Sequence, residues 1–119
     1  MSENIVKTKS FQFAVLVVKF CQILMTDKKE FILSKQLMRS GTSVGANVRE
    51  AVNAQSAADF VHKLAIAQKE CDESLYWLEL LKETKNINES DFNELHAEAT
   101  SILKIIRSII LTSKQKKHP

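Results

Sequence analysis

Residues that interrupt helices are almost absent from this chain. Its one proline is the last residue, Pro119, and its two glycines, Gly41 and Gly45, lie close together in a sequence of 119 residues. All-β and collagen-like proteins need turn residues or glycine at regular spacing, so both classes are excluded. A hydrophobic fraction of 45% is typical of a globular chain and argues against disorder. We therefore expect one all-α domain over residues 1–119, since this length suits a single core.

Apolar residues recur at helical spacing in four segments, at about residues 8–26, 28–54, 57–85 and 89–114. Intervals of three and four are the signature of an amphipathic helix. Capping-box spacing is found at Asp27 with Glu30, before the second segment, and at Ser56 with Asp59, before the third. Because the connectors are short, consecutive helices are expected to be antiparallel. The predicted fold is an all-α, up-down antiparallel four-helix bundle.

The second segment contains both glycines and has two interpretations. Each glycine costs a helix about 1 kcal/mol, which favours a break at Gly41. Three stripes of residues at helical spacing nevertheless stay in phase across Gly41 and Gly45, whereas a loop would reset the phase. We favour one unbroken helix, in which Gly41 and Gly45 form a small-residue face for close packing of another helix.

The first segment is apolar around most of its circumference. Between residues 11 and 25 its polar side chains form one narrow stripe of Gln12, Lys19 and Gln22. Such a helix must be covered on more than one side, and three partner helices in a small domain do not easily cover it. The pattern therefore predicts a homo-oligomer. Residues 11–25 are too few to span a bilayer, so we expect no membrane association.

The two cysteines, Cys21 and Cys71, both fall within apolar helical patterns. Two cysteines are too few for the disulfide framework of a small secreted protein. We interpret them as reduced, buried thiols in a cytoplasmic protein.

The formal net charge is +3, but the charges are unevenly distributed. Residues 55–84 carry three lysines against six acids, whereas the segments on either side have a surplus of bases. On the second helix, Lys35, Arg39 and Arg49 follow one helical stripe, which Lys63 of the third helix would extend. Either these side chains contact nucleic-acid phosphates, or the two arginines pair with Glu70 and Glu73 of the third helix, within or between subunits. We favour pairing and keep phosphate binding as the alternative.

The chain ends in a basic segment. A basic terminus is usually frayed and solvated, and the alternative is an arm that contacts phosphates. The candidate nucleic-acid-binding residues are therefore Lys35, Arg39, Arg49, Lys63, Lys114, Lys116 and Lys117.

Four polar side chains are expected between closely packed helices. Asn47 and Glu50 share the small-residue side of the second helix, while Glu70 and Glu73 are the acids that would pair with the arginines. An amide between helices needs hydrogen-bond partners. We therefore predict a structural polar network of Asn47, Glu50, Glu70 and Glu73.

Metal binding and catalysis lack the residues they need. Di-iron sites in helical bundles use Glu-x-x-His on two helices, and the nearest segment is a single Asp-Phe-Val-His at residues 59–62. His62, His96 and His118 are scattered without an adjacent nucleophile, and no phosphate-binding glycine loop occurs. We expect no metal, no cofactor and no enzymatic activity.

The second-helix sequence SKQLMRSGTSVGANVREA, at residues 34–51, resembles the signature of a bacterial protein family. The third helix agrees with the same family at Phe60, Lys63, Leu64, Ala67, Glu70, Glu73, Trp77, Leu78 and Leu81. The family is that of the 23S rRNA intervening-sequence proteins, bacterial four-helix bundles once labelled a ribosomal protein. The resemblance covers nearly the whole chain. It implies a four-helix bundle assembled as a homopentameric ring.

A relative of that family, the accessory protein of diversity-generating retroelements, uses the same fold to bind a reverse transcriptase and RNA. The resemblance thus points towards nucleic acid without identifying an activity. We expect a non-enzymatic homopentamer that binds RNA, DNA or a ribonucleoprotein through basic surfaces. The alternative is a protein-interaction scaffold for a partner such as a reverse transcriptase, without direct nucleic-acid binding.

Overall fold

The computed structural model describes residues 2–116, and the side chains from Glu3 to Gln115. It contains four helices, α1 (Ser2–Lys28), α2 (Ile32–Val52), α3 (Ala57–Glu83) and α4 (Glu89–Lys116). Each helix packs against two neighbours, in the order α1, α2, α3, α4 and back to α1. The diagonal pairs, α1 with α3 and α2 with α4, make no close backbone approach within the described residues. The predicted up-down four-helix bundle is confirmed.

Helix α1 begins at Ser2, earlier than the predicted start near residue 8. The reason is that its core-facing pattern already begins at Val6. Val6 and Ser10 are fully buried and continue the row formed by Phe13, Val17 and Cys21. These residues repeat at intervals of three and four, so the additional turns have a core face of their own.

Helix α2 begins at Ile32, later than the predicted start at residue 28. Asp27 belongs to the last turn of α1, and Lys29 then turns the chain with φ of 57°. The predicted capping box of Asp27 with Glu30 is therefore wrong. The Glu30 carboxylate alone caps α2, accepting hydrogen bonds from the backbone N–H groups of Ile32 at 3.1 Å, Leu33 at 3.0 Å and Ser34 at 2.8 Å.

The Glu30 cap gives a pH-dependent contribution to stability. Partial burial raises the pKa of Glu30, but hydrogen bonds from Leu33, Ser34 and Ile32 outweigh burial and lower the pKa overall. A lowered pKa in the folded state means that the stabilisation is complete above the unfolded pKa of about 4.3 and disappears as pH falls through the folded value. We expect Glu30→Gln to cost about 1 kcal/mol at pH 7, the usual worth of a helix cap.

Urea unfolding of both proteins between neutral and acidic pH measures this effect. The difference between wild type and Glu30→Gln should be constant above about pH 5 and vanish under strongly acidic conditions. Glu83→Gln is the control, because Glu83 is exposed and has no ion pair among the described side chains. A difference that stays constant down to acidic pH would show that the charge of Glu30 contributes nothing.

The starts of α3 and α4 follow the sequence prediction. The Ser56 hydroxyl oxygen accepts a hydrogen bond from the Asp59 N–H at 3.0 Å, and the Asp59 carboxylate accepts one from the Gln55 N–H at 3.4 Å. At α4, the Asn88 side chain accepts a hydrogen bond from the Asp91 N–H at 2.7 Å. Both helices thus have a side-chain acceptor for an N–H group of the first turn, which would otherwise lack a partner.

Both glycines lie within α2, so the unbroken helix is confirmed. A Cβ atom on Gly41 would lie 2.9 Å from a methyl group of Val17, and one on Gly45 would lie 3.2 Å from the backbone oxygen of Ser10. The predicted small-residue face therefore exists, and the helix that approaches it is α1. Close to this face, the buried hydroxyl groups of Ser40 and Ser74 join α2 to α3 across 2.9 Å.

Part of the apolar surface of α1 is left uncovered by the bundle. The polar stripe of Gln12, Lys19 and Gln22 is exposed, as its polarity requires. Large apolar side chains near this stripe are exposed as well, and they define what we call the α1 outer face: Ile5 (54%), Phe11 (56%), Val15 (38%) and Ile23 (59%). Helix α1 thus has more apolar circumference than α2 and α4 cover.

The length of α1 corrects one sequence-based argument. Residues Glu3–Lys28 form a helix that is long and apolar enough to cross a membrane by length and composition. The length argument based on residues 11–25 therefore does not hold, because the helix extends beyond that stretch, and the absence of membrane association stays a prediction. The same test is passed by core helices of soluble proteins. In this fold Val6, Phe13 and Val17 of α1 are buried in the bundle core.

Candidate functional site

Arg39 forms the predicted ion pairs between α2 and α3. Its guanidinium group lies 3.3 Å from the Glu70 carboxylate and also contacts the Glu73 carboxylate. Glu73 in addition accepts a hydrogen bond from the indole N–H of Trp77 at 3.1 Å. The Arg39 side chain is half exposed. Pairing of Arg39 with both acids is therefore confirmed, and the cluster lies at the protein surface.

Lys63 and Arg49 have different partners. Lys63 pairs with Glu50 at 2.8 Å, and the hydrogen bond and the charge of Glu50 both raise the pKa of Lys63. Within one chain Arg49 contacts neither Glu70 nor Glu73, so the prediction that it pairs with them inside the subunit is wrong, while pairing between subunits stays a prediction. Its guanidinium carbon lies 5.9 Å from the centre of the Phe11 ring instead. Arg49 lies near the other end of α2 from Arg39, beyond the reach of those two acids.

The remaining candidates are exposed or lie outside the described part of the chain. Lys35 and Lys114 are exposed and have no ion pair among the described residues. The Lys116 side chain and the whole of Lys117 are outside the described residues. The predicted stripe on α2 and α3 is therefore split: Arg39 and Lys63 are neutralised by acids, whereas Lys35 and Arg49 keep their charge unpaired within residues 3–115.

The predicted polar network does not form as one unit. The Asn47 amide donates a hydrogen bond to the Ser43 carbonyl oxygen of its own helix at 2.9 Å. Glu50 binds Lys63, while Glu70 and Glu73 bind Arg39, which lies about three helical turns from Glu50 along α2. The prediction was wrong because residues that share a helix face need not share a level along the axis. Each acid faces the cation at its own level.

A second basic surface, on α4, was not predicted. Five lysines or arginines and no acid follow Glu98 in the sequence. Lys104, Arg107 and Lys114 are exposed, and no ion pair involves them within the part of the chain that the structure describes. Offsets of three and seven residues bring them to the same side of the helix. We call this set the α4 basic stripe; the acid-free run after Glu98 was the sequence signal for it.

A groove of about 470 Å³ lies between α1 and α4, at the end of the bundle that carries the α3–α4 connector. Its floor is apolar, and its rim carries acids and lysines. The apolar lining is formed by Leu16, Phe20, Ile23, Leu24, Ile87 and Leu95, and the charged rim by Lys19, Asp27, Lys28, Asp91 and Glu94. A groove of this composition is better suited to binding an apolar side chain than to catalysing a reaction.

Apart from the ion pairs described above, the titratable side chains of the described residues do not gather at one point. No group of three or more His, Cys, Asp or Glu side chains is placed to hold a metal ion in that part of the chain. His96 lies 3.7 Å from Glu79 and against the Phe92 ring, His62 is exposed, and His118 lies outside the described residues.

The two cysteines are buried thiols. Burial raises the pKa of Cys21 to about 12, with a contribution from the charge of Glu30, and burial raises the pKa of Cys71 to about 12. Because the thiolate is the reactive form, neither cysteine should react with iodoacetamide at pH 8 in the folded protein. Mass spectrometry should find no adduct without urea and two adducts in urea. An adduct formed in the native protein at the rate of a free thiol would contradict the packing.

Comparison with known proteins identifies the family. A comparison with curated proteins gave no significant match. A crystal structure of a protein of unknown function from the S23 ribosomal protein family of Bacteroides thetaiotaomicron is similar to this chain, with 50% sequence identity and a TM-score of 0.91. The similarity covers 92% of this chain and 98% of that one. The family model described as 23S rRNA-intervening sequence protein matches residues 2–108. The chain therefore belongs to the 23S rRNA-intervening sequence protein family.

Proposed function

We propose that this protein is a cytoplasmic, non-enzymatic homo-oligomer, with the pentameric ring expected from the family resemblance, that binds nucleic acid or a ribonucleoprotein through basic surfaces. The observation that carries the proposal is the α1 outer face, whose four large apolar side chains are 38–59% exposed. Repetition of one subunit around a ring would multiply whatever charged surface that subunit presents.

Self-association accounts for the α1 outer face. Burying one Val, Ile or Phe side chain completely contributes about 1.5–3 kcal/mol. Phe11, Val15 and Ile23 are only partly buried. A second copy of the chain that covers them would therefore stabilise the assembly by part of this free energy for each side chain. The Arg49 guanidinium group beside Phe11 supplies a polar edge for this contact. Apolar centres with polar edges are the usual composition of subunit interfaces.

The charges support nucleic acid as the ligand. The net charge is +3 per subunit, and Lys35 and Arg49 keep their charge unpaired within the described residues. Arg39 pairs with Glu70 and Glu73 at the surface, where such an ion pair is worth about 1 kcal/mol or less. Phosphate groups would therefore be able to replace those acids. The family description refers to 23S rRNA, which makes RNA the first ligand to test.

A titration at two salt concentrations tests the nucleic-acid proposal. Labelled single-stranded RNA, a hairpin RNA and a DNA duplex are each mixed with the protein at about 50 mM and about 200 mM salt. Phosphate contacts predict binding that is clearly weaker at the higher salt, because each contact releases counterions. Absence of binding to all three probes at the lower salt would contradict the proposal.

The alternative is a scaffold for a protein partner, such as a polymerase, without direct nucleic-acid binding. The pairing of Arg39 and Lys63 with acids favours it, since two of the predicted phosphate contacts are already satisfied. A pull-down before and after nuclease treatment distinguishes the two functions. A stoichiometric protein partner that survives nuclease, together with no RNA or DNA binding, would replace the proposal by the scaffold.

A further inference from the structure

We infer that the α4 basic stripe, Lys104, Arg107 and Lys114, is the main surface that contacts nucleic-acid phosphates, in place of the predicted stripe on α2 and α3. This inference rests on the proposed nucleic-acid function and names the site where it would take place. Lys104 and Arg107 belong to no site expected from the sequence.

The first argument is the separation of charge along the fourth helix. Residues 85–98 carry one lysine and four acids, whereas residues 99–119 carry five bases and no acid. The net charge therefore changes from −3 to +5 within the last 35 residues of the chain. The net charge of +3 for the whole chain conceals this separation. A local surplus of one sign attracts a polyanion more strongly than the same charges interspersed with acids.

The second argument is that the α4 basic stripe is not engaged elsewhere. Arg39 and Lys63 must leave a carboxylate before they bind a phosphate, whereas Lys104, Arg107 and Lys114 have no ion pair within residues 3–115. All three are exposed. A cation without a protein partner can contribute its whole charge to phosphate neutralisation and counterion release.

The third argument is geometric. A helix rises 1.5 Å per residue, so the axial distance from Lys104 to Lys114 is about 15 Å. At about 3.4 Å per charge along one strand of a duplex, this distance corresponds to about four phosphates. The opposite side of α4 is fixed in the core by Ile102 and Ile106, which are fully buried. The three cations are therefore presented along one side of a helix that the bundle holds in place.

Other polyanionic surfaces fit the α4 basic stripe less well. A helix that lies on a membrane needs a broad exposed apolar face, and Leu111 is the one large apolar residue exposed on the described part of α4. An acidic surface of a second copy is the other competitor, because residues 55–84 have a net charge of −3. Both are outcomes that the test below distinguishes from nucleic acid.

The test compares two triple variants that remove the same charge. The first is Lys104→Gln with Arg107→Gln and Lys114→Gln. The matched control is Lys29→Gln with Lys69→Gln and Lys82→Gln, three exposed lysines outside the α1 outer face and outside every proposed phosphate-binding surface. Binding of labelled RNA is measured against salt, while circular dichroism and light scattering check that helix content and subunit number match the wild type.

We expect the α4 variant to bind RNA at least about tenfold more weakly than the wild type at about 50 mM salt. The slope of log K against log salt should fall in magnitude by about 2, since each lost contact to a single strand contributes about 0.7. The control variant should lose less than about threefold. A charge-conserving variant, Lys104→Arg with Lys114→Arg, should bind as the wild type does and shows that charge is the property required.

Four results would overturn the inference. If the α4 variant binds RNA like the wild type, the phosphate contacts lie on another surface, such as Lys35 and Arg49 of α2, and the proposed function stands. If the α4 variant changes the subunit number, the stripe joins copies of the chain. If vesicles with anionic lipids bind the wild type more tightly than RNA does, the ligand is a membrane surface. If the wild type binds no nucleic acid at all, the proposed function fails together with the inference.

Discussion

Gly45→Leu is expected to destabilise the protein by about 3 kcal/mol, at the upper end of the usual cost of overpacking. A Cβ atom at this position would lie 3.2 Å from the backbone oxygen of Ser10, and the rest of a leucine side chain would extend further towards α1. The contact is with backbone, so no flexible side chain can move away. On an open helix surface the same change would be stabilising by up to about 1 kcal/mol, because leucine forms helices better than glycine.

The sign of the effect therefore reports whether α1 approaches this face. Ala46→Leu is the matched control, because Ala46 is the next residue on the same helix and is exposed. It should change the free energy of unfolding by no more than about 0.5 kcal/mol. Urea unfolding at one protein concentration measures both variants. Equal stability of Gly45→Leu and the wild type would indicate that α2 is kinked or displaced from α1.

The double change Val15→Glu with Ile23→Glu is expected to dissociate the proposed homo-oligomer into folded monomers. Both side chains are exposed in the single chain, at 38% and 59%, so a carboxylate at either position remains solvated in the monomer. In an assembled interface each carboxylate would be desolvated without a partner, which costs several kcal/mol per charge. We expect at least a hundredfold weaker association, since 1.4 kcal/mol corresponds to about a factor of ten.

Light scattering over a range of protein concentrations measures this dissociation, and circular dichroism confirms that the helices persist. Asn93→Glu with Ala97→Glu is the control, because it adds two carboxylates at exposed positions of α4. It should leave the subunit number unchanged. If the α1 variant keeps the mass of the wild type, the α1 outer face is not the interface.

The features of the fold that could be predicted are those that follow from the helical spacing of apolar residues alone. The period identified four helices, and the stripes in phase across Gly41 and Gly45 identified α2 as continuous. Ser56 was correctly identified as the cap of α3, since its hydroxyl group accepts from Asp59 within the same segment. The cap of α2 was not predicted, because α2 begins after Glu30 and not at residue 28, so that the Glu30 carboxylate accepts from the first turn of the helix. This arrangement depends on the turn at Lys29.

The partners of surface charges could be predicted only in part, because they depend on the axial offset between helices. Arg39 faces Glu70 and Glu73 as expected, whereas Arg49 lies beside Phe11 of α1. The helical period of the charged residues does not determine that offset, which depends on how the core side chains of neighbouring helices pack. The α4 basic stripe is not apparent from segment charges for another reason: residues 85–119 have a small net surplus of bases that combines an acidic beginning with a basic end.

Self-assembly through the α1 outer face is the central claim, and the molar mass of the wild-type protein in solution tests it most directly. Light scattering on the purified chain at micromolar concentration should give five times the chain mass of 13.5 kDa if the pentameric ring forms. A mass of 13.5 kDa under the same conditions would contradict the claim, because it would leave the exposed apolar side chains of α1 without a second copy to cover them.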